Sequence, residues 1–513
     1  MAFLVGALII LIVISECAVS EDVTVVTSLG NIIGEVETLT FDGTQFNITK
    51  FLGIPFAEPP TGSRRFNKPV KKNSLNGNFI AKTMPPTCVQ NSASLLQIGI
   101  DPDSLNQSED CLYLNVYIPG SGPVDTLRNL AVMIWIYGGG FQWGYQDFFE
   151  GKNLVGLNDV ILVTFNYRVS FLGFLSTSED NRSGNYGLWD QHTVIQWVYD
   201  HIRNFGGDPM RVTLFGESAG AASVVYQALY DGNEGFFQRV IAQSGSVNTP
   251  WAYETNPGSV YMNFANKTDC LRGSQLEILN CLRNLNITQI KDSVGSSDNF
   301  LPVKDGHFVT MRPPDLFKNA STEAWELLRH MGKRDFIFGV TSSEGGMFLN
   351  YFDRYINTSD ATKPIGYSRE LFEKNIIAIA LATYKLKDSR ALRTALIHQY
   401  GEWTNPEDEV TILQKTVDMF SDAQFNAGAV RSAMVHSATT EEGRLYFYVF
   451  DHKGVMADSR LTGASHADDV PFVLGFPAAF VALYTMAGLN ISQAEFSLSR
   501  KVMEYWTNFA KTG

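Results

Sequence analysis

Short, almost wholly apolar runs punctuate the chain at 130–137, 160–166, 212–215, 240–243, 336–340 and 445–450. They are rich in β-branched and aromatic residues and mostly lack polar–apolar alternation. That pattern predicts central strands covered on both faces. Between them runs the longer rhythm of helices. Val194, Ile195, Val198 and Ile202 give 191–204 one apolar face, and 370–384 and 496–511 also look helical. Strands alternating with helices over several hundred residues predict an α/β fold with a doubly wound, mostly parallel central sheet. No repeat or Ser/Pro-rich linker interrupts the pattern, so 21–513 is read as a single domain. Segments 252–330 and 345–440 read as helical insertions placed over the strand ends, where such sheets bind ligands.

The first residues bear on the compartment. Residues 2–14 carry no charge, and Ala18-Val19-Ser20 supplies small residues before Glu21. This run is too short for a membrane-spanning helix and fits a secretory signal over 1–20, although no Lys or Arg precedes it. The rival reading is an uncleaved anchor; no other stretch suggests a transmembrane span. Removing the signal removes Cys17 and leaves Cys88, Cys111, Cys270 and Cys281. An even count in an oxidising compartment predicts disulfides. Loop closure favours the local pairs Cys88–Cys111 and Cys270–Cys281 over the other pairings. In a secreted chain the Asn-x-Ser/Thr triplets at Asn47, Asn106, Asn181, Asn266, Asn286, Asn319, Asn357 and Asn490 become glycosylation candidates.

Composition narrows the function. The chain has 513 residues, 45% hydrophobic and 18% charged, the balance of a globular protein. Its 40 basic and 53 acidic residues give a net charge of −13 without a basic block. Phosphate binding needs a concentrated cationic face, so a nucleic-acid partner is not expected. Neither His-Glu-x-x-His nor Cys-x-x-Cys occurs, so no metal site and no cofactor is implied.

The most informative stretch is 211–223, where a strand runs into Gly216-Glu217-Ser218-Ala219-Gly220 and a small-residue helix follows. Glycines on both sides of a serine allow a tight strand-to-helix turn that holds the hydroxyl at the sheet's upper edge. The helix dipole behind it favours negative charge at an attacked carbonyl. A serine nucleophile needs a base, and the base an orienting acid, in the chain order Ser, acid, His. His466, in a Gly-containing loop after a strand, is the candidate base, and His452, ending that strand, is its rival. His307, His330, His398 and His436 are weaker. Glu344, between the strand 336–340 and two glycines, is the candidate acid. Gly138-Gly139-Gly140 follows the strand at 130–137 and can aim bare N–H groups at a substrate oxygen. The expected oxyanion donors are Gly139, Gly140 and Ala219.

Further stretches carry a family resemblance. They include Phe51-Leu-Gly-Ile-Pro-Phe-Ala-Glu-Pro-Pro60, Glu109-Asp-Cys-Leu-Tyr-Leu-Asn-Val116, Asn166-Tyr-Arg168, Gly184 to Gln191, Phe205-Gly-Gly-Asp-Pro209 and Gln243-Ser-Gly-Ser246. With the elbow, they make the chain resemble the type-B carboxylesterase/lipase family, which includes cholinesterases and bile-salt-activated lipase. The resemblance implies the α/β-hydrolase fold, Ser218, Glu344 and His466 as the triad, and the two local disulfides. It favours His466 over His452 and implies supporting positions at Glu217 and Ser244. It also implies that relatives continue beyond the 509–513 segment. The chain departs from the family in places. Tyr137 stands where many carboxylesterases have His. No aromatic residue lies between Cys88 and Cys111, where cholinesterases place a Trp, so a quaternary ammonium would find no π face there. Ser170 replaces a usual glycine.

The expected function is therefore a secreted, glycosylated serine hydrolase cleaving neutral carboxylic esters, with a small-molecule ester as partner. Its activity is expected to fall below about pH 6.5 as His466 protonates. The alternatives are a non-catalytic, neuroligin-like cell-surface binding protein, or a long-chain lipase or cholinesterase-type enzyme.

Overall fold

The computed structural model describes residues 21–513 apart from 98–99, 178–183, 296, 319–320, 356–364, 384–385, 441 and 455–456. The expected signal, Cys17, Asn181, Asn319 and Asn357 lie outside the described residues. An 11-stranded sheet organises the chain. Its strands are β1 (Asp22–Thr27), β2 (Gly30–Phe41), β3 (Thr44–Pro55), β4 (Asn78–Ile80), β5 (Tyr113–Pro119), β6 (Leu130–Ile136), β7 (Ile161–Phe165), β8 (Gly207–Glu217), β9 (Arg239–Gln243), β10 (Asp335–Thr341) and β11 (Leu445–Phe450). The spatial order is β1-β2-β3-β5-β7-β6-β8-β9-β10-β11, with β4 paired to β2.

From β7 onward along that order every neighbouring pair is parallel, and helices supply the crossovers. The first four pairs, from β1 to β7, are antiparallel. The parallel centre explains the unbroken apolar runs: all residues of β6 and β7 are buried. The N-terminal strands carry no unbroken apolar run because they mix exposed and buried positions, as half-covered antiparallel strands do.

One expectation is corrected. The apolar run at 445–450 predicted a strand covered on both faces, but β11 is the sheet's edge and leaves Tyr446, Phe447 and Val449 exposed. Aromatic and β-branched residues favour any strand position, so composition does not distinguish centre from edge.

The insertions are helical. Pro257–Lys267, Gln275–Asn284 and Thr322–Gly332 are helices of the first. The second builds its own apolar cluster around Leu349, Ile377, Leu413 and Phe420. The main core runs from Val23 to Ala510 and includes both faces of the central strands. The C-terminal helix, Gln493–Thr512, starts from a capping box in which Ser492 and Glu495 satisfy each other's end groups.

Candidate functional site

The site is assembled at the upper ends of β6, β8 and β10. Gly216 pairs with Ile136 and Glu217 with Gln243, so the chain leaves the sheet at Ser218. Ser218 adopts φ 58, ψ −120 and starts the helix Ala219–Leu229. A Cβ on Gly220 would stand 1.9 Å from the Ile136 carbonyl oxygen, and one on Gly216 2.4 Å from it. The helix therefore presses directly on β6. Every residue from Val212 to Leu229 is buried except Ser218. The fold exposes one hydroxyl from an otherwise sealed strand–helix unit.

Glu344 follows β10 and is completely buried. Its Oε1 accepts the Thr341 N–H at 2.8 Å, and its Oε2 lies 2.6 Å from Nδ1 of His466. The two loops are laced together by the Ser343 N–H donating to the Ala464 carbonyl (2.8 Å) and the Ala464 N–H to the Ser342 hydroxyl (3.0 Å). The Phe425 ring lies 4.4 Å from the imidazole, centroid to centroid. The other imidazole nitrogen, Nε2, lies 3.1 Å from Oε1 of Glu217. Among the described residues the Ser218 hydroxyl makes no hydrogen bond. His452 sits elsewhere: its nearest carboxylate is Glu495, 4.0 Å away on the C-terminal helix.

The glycine loop meets the elbow directly. A Cβ on Gly138 would lie 2.9 Å from Ser218 Cβ and 3.0 Å from Oε2 of Glu217. The next two residues take φ +100 and +61, and no hydrogen bond among the described residues occupies the N–H of Gly139 or Gly140. Ala219 is the first residue of its helix, where the main-chain N–H has no partner within the helix. The loop is braced from behind by two tyrosines. Tyr167 donates its hydroxyl to the Tyr137 carbonyl (2.8 Å), and Tyr137 donates its own to the Tyr167 carbonyl (3.0 Å).

The carboxylesterase family's sequence profile matches residues 21–513. The chain belongs to the carboxylesterase family. It is 34% identical to neuroligin-2 of Mus musculus over 91% of this chain and 57% of that protein, so it spans little more than half of that relative's length. It is 34% identical to acetylcholinesterase 1 of Caenorhabditis briggsae over 91% of this chain and 76% of that protein. It is 32% identical to bile salt-activated lipase of Bos taurus over 96% of this chain and 79% of that protein. The sheet and its helical crossovers are the α/β-hydrolase fold of this family.

In this carboxylesterase-family chain several buried carboxyl groups surround His466. Burial pushes Glu217 up to about 8, and His466 offsets this only in part. Burial would lower the imidazole, but Glu217 and Glu344 outweigh it and raise His466 to about 9. Asp469 is buried and raised by desolvation. It accepts from the Tyr448 hydroxyl (2.8 Å) and the Gln243 amide (2.9 Å), and Trp506 donates to that same glutamine. Asp469 and Phe425 were not singled out in the sequence. Asp469 could have been noticed as part of the acidic pair after His466; Phe425 carries no sequence signal, since it projects from a π-helical segment, Asp422–Asn426, inside a longer helix.

Ser244 is buried at φ 56 and donates its N–H to the Gly339 carbonyl (2.8 Å). Its hydroxyl makes no hydrogen bond among the described residues. Disulfides join Cys88 to Cys111 and Cys270 to Cys281. Asn47, Asn106, Asn266, Asn286 and Asn490 are exposed. Among the described residues no helix is long and apolar enough to cross a membrane.

Proposed function

We propose that this chain is a secreted, glycosylated serine hydrolase that cleaves neutral carboxylic esters through an acyl-enzyme. The observation that carries this reading is His466, held at 2.6 Å by buried Glu344 and facing the elbow that exposes Ser218. The Ser218 oxygen attacks the ester carbonyl as His466 Nε2 takes its proton. The carbonyl oxygen becomes an oxyanion, met by the N–H groups of Gly139, Gly140 and Ala219. The C–O bond to the alcohol breaks, and the alcohol leaves with the proton from His466. Water then attacks the acyl-enzyme with His466 as base, releasing the acid and restoring Ser218. Glu344 holds the imidazole orientation and stabilises its charged form. The Ser218–His466 hydrogen bond is expected to close as substrate binds. Catalytic hydrogen bonds in unliganded sites commonly tighten only on substrate binding.

A second reading is a non-catalytic cell-surface binding protein, favoured by the likeness to neuroligin-2. Turnover of p-nitrophenyl acetate, with labelling by a fluorophosphonate, separates the two. The hydrolase reading expects both, and expects Ser218→Ala to abolish both. An unlabelled wild type, or equal rates in the two proteins, leaves the binding reading. Comparing acetate with palmitate esters places the enzyme among esterases or lipases.

A further inference from the structure

His466 sits in a tight turn that a third carboxylate closes. In the turn 465–468, the Asp468 N–H donates to the Ser465 carbonyl at 3.1 Å. In return, Oδ2 of Asp468 accepts the Ser465 N–H at 2.7 Å. Between them Ala467 is held at φ +68, a left-handed conformation that a residue with a Cβ adopts at a cost of about 1–2 kcal/mol. Such a conformation persists only where its surroundings over-determine it. From the N-terminal side the turn is anchored to the acid loop through Ser342, Ser343 and Ala464. From the C-terminal side, Asp468 is its side-chain anchor.

We propose that Asp468 is the positioning residue for His466, its carboxylate fixing the turn so that the imidazole reaches Glu344 and the elbow together. This rests on the hydrolase reading above. Asp468 touches no reacting atom; it acts through the Ser465 N–H. The groups that face it are His466 and Asp469 on its own turn, Glu344 on the acid loop and Tyr484 on the helix Ala478–Met486. The segment 451–454 packs on it through Gly454, whose ideal Cβ would lie 3.8 Å from the carboxyl carbon. Of that segment's charged groups, His452 faces Glu495, and Lys453 donates to the Ser459 and Leu461 carbonyls. No cation therefore pairs with Asp468 from that side. Burial raises its carboxyl to about 7, with the Ser465 N–H opposing the shift. The anion is the stronger acceptor, so the turn is held best above that pH and loosens as pH falls through it.

The test compares Asp468→Asn and Asp468→Ala with wild type on p-nitrophenyl acetate, recording kcat, KM, pH profile and melting temperature. Asn retains an acceptor oxygen without a titratable proton. At pH 9 it is expected to keep kcat within about threefold, whereas Ala loses roughly tenfold or more at unchanged KM, as a small misplacement of a catalytic group costs. Protonated Asp468 keeps an acceptor oxygen as Asn does, so below pH 7 the wild-type and Asn profiles are expected to stay within about threefold of each other while Ala remains low throughout. An active wild type with an Ala variant of undiminished kcat overturns the proposal. So does an Asn variant that loses as much as Ala. A wild type that neither hydrolyses the ester nor takes the fluorophosphonate overturns the hydrolase reading itself, and this proposal falls with it.

Discussion

Nε2 of His466 lies 3.1 Å from Oε1 of Glu217, the residue immediately before the elbow serine. The imidazole is thus flanked by two buried carboxylates, one at each nitrogen. Glu344 engages Nδ1, and both carboxyls favour the protonated ring, because a carboxylate charge stabilises the imidazolium at contact distance in a water-poor site.

A pH profile follows from that arrangement. A general base must be neutral to act, so activity rises as pH rises through the imidazole's pKa. The free-residue value placed the acid limb near 6.5, whereas Glu217 and Glu344 raise His466 to about 9. The limb is therefore expected above 6.5. In Glu217→Gln one anion is gone, and the midpoint is expected to move down by about one unit or more. The kcat/KM profile of the two proteins measures this; coincident midpoints would remove Glu217 from the tuning role.

Ser170 stands where the family resemblance expects glycine, and the structure shows what that substitution does. It holds φ +52, is fully buried, and donates its N–H to the Phe141 carbonyl at 2.7 Å. Its hydroxyl has no partner among the described residues. Ser170→Gly removes both a left-handed conformation carried by a Cβ and a buried, unmatched hydroxyl. It is expected to stabilise the protein by about 1–2 kcal/mol, read as a higher denaturation midpoint. A lower midpoint would show that the hydroxyl is satisfied in solution.

The central parallel strands and the elbow were legible because burial on both faces writes itself as unbroken apolar sequence, and a serine at positive φ needs glycines beside it. What was not legible is contact across sequence distance. His466 and His452 both follow β11, and spacing alone separates them weakly; only the meeting with Glu344, 122 positions away, decides which one faces the elbow. The same holds for Phe425, an ordinary helical aromatic until a π-helical segment sets it on the imidazole. The helical pattern at 191–204 falls about one turn short of the observed start. The helix starts at Tyr186, where Asn185 at φ 52 leads the chain in, and passes into a 3-10 turn at Ile202–Phe205.

Arg168 and Asp190 form a fully enclosed ion pair, with guanidinium–carboxylate contacts of 2.7 and 2.8 Å. Arg168 directly follows Tyr167, one of the two tyrosines bracing the glycine loop. Asp190→Asn leaves an unpaired buried cation, which is expected to cost about 3–5 kcal/mol. The loss is expected to reach the site as well, with fluorophosphonate labelling slowed at temperatures where the variant remains folded. Urea denaturation and labelling rates measure the two effects. A variant as stable as wild type would mean that water enters to solvate the guanidinium.

Gly139 and Gly140 adjoin in sequence but face opposite surroundings. A Cβ on Gly139 would meet the Trp143 carbonyl oxygen at 2.2 Å, whereas one on Gly140 would meet nothing within 4 Å. Both hold positive φ, so alanine at either position carries a backbone cost of about 1 kcal/mol. Only at 139 does it also collide with main chain, which cannot swing aside as a side-chain tip can. Gly139→Ala is therefore expected to displace the loop and withdraw oxyanion donors, lowering kcat by about 10²–10³, the effect of losing one such donor. Gly140→Ala is expected to keep the loop in place and to alter KM more than kcat, since its methyl projects into open space beside the elbow. Steady-state kinetics on p-nitrophenyl acetate distinguish the pair, and equal losses at the two positions would mean that strain at positive φ, not the close approach to Trp143, governs the loop.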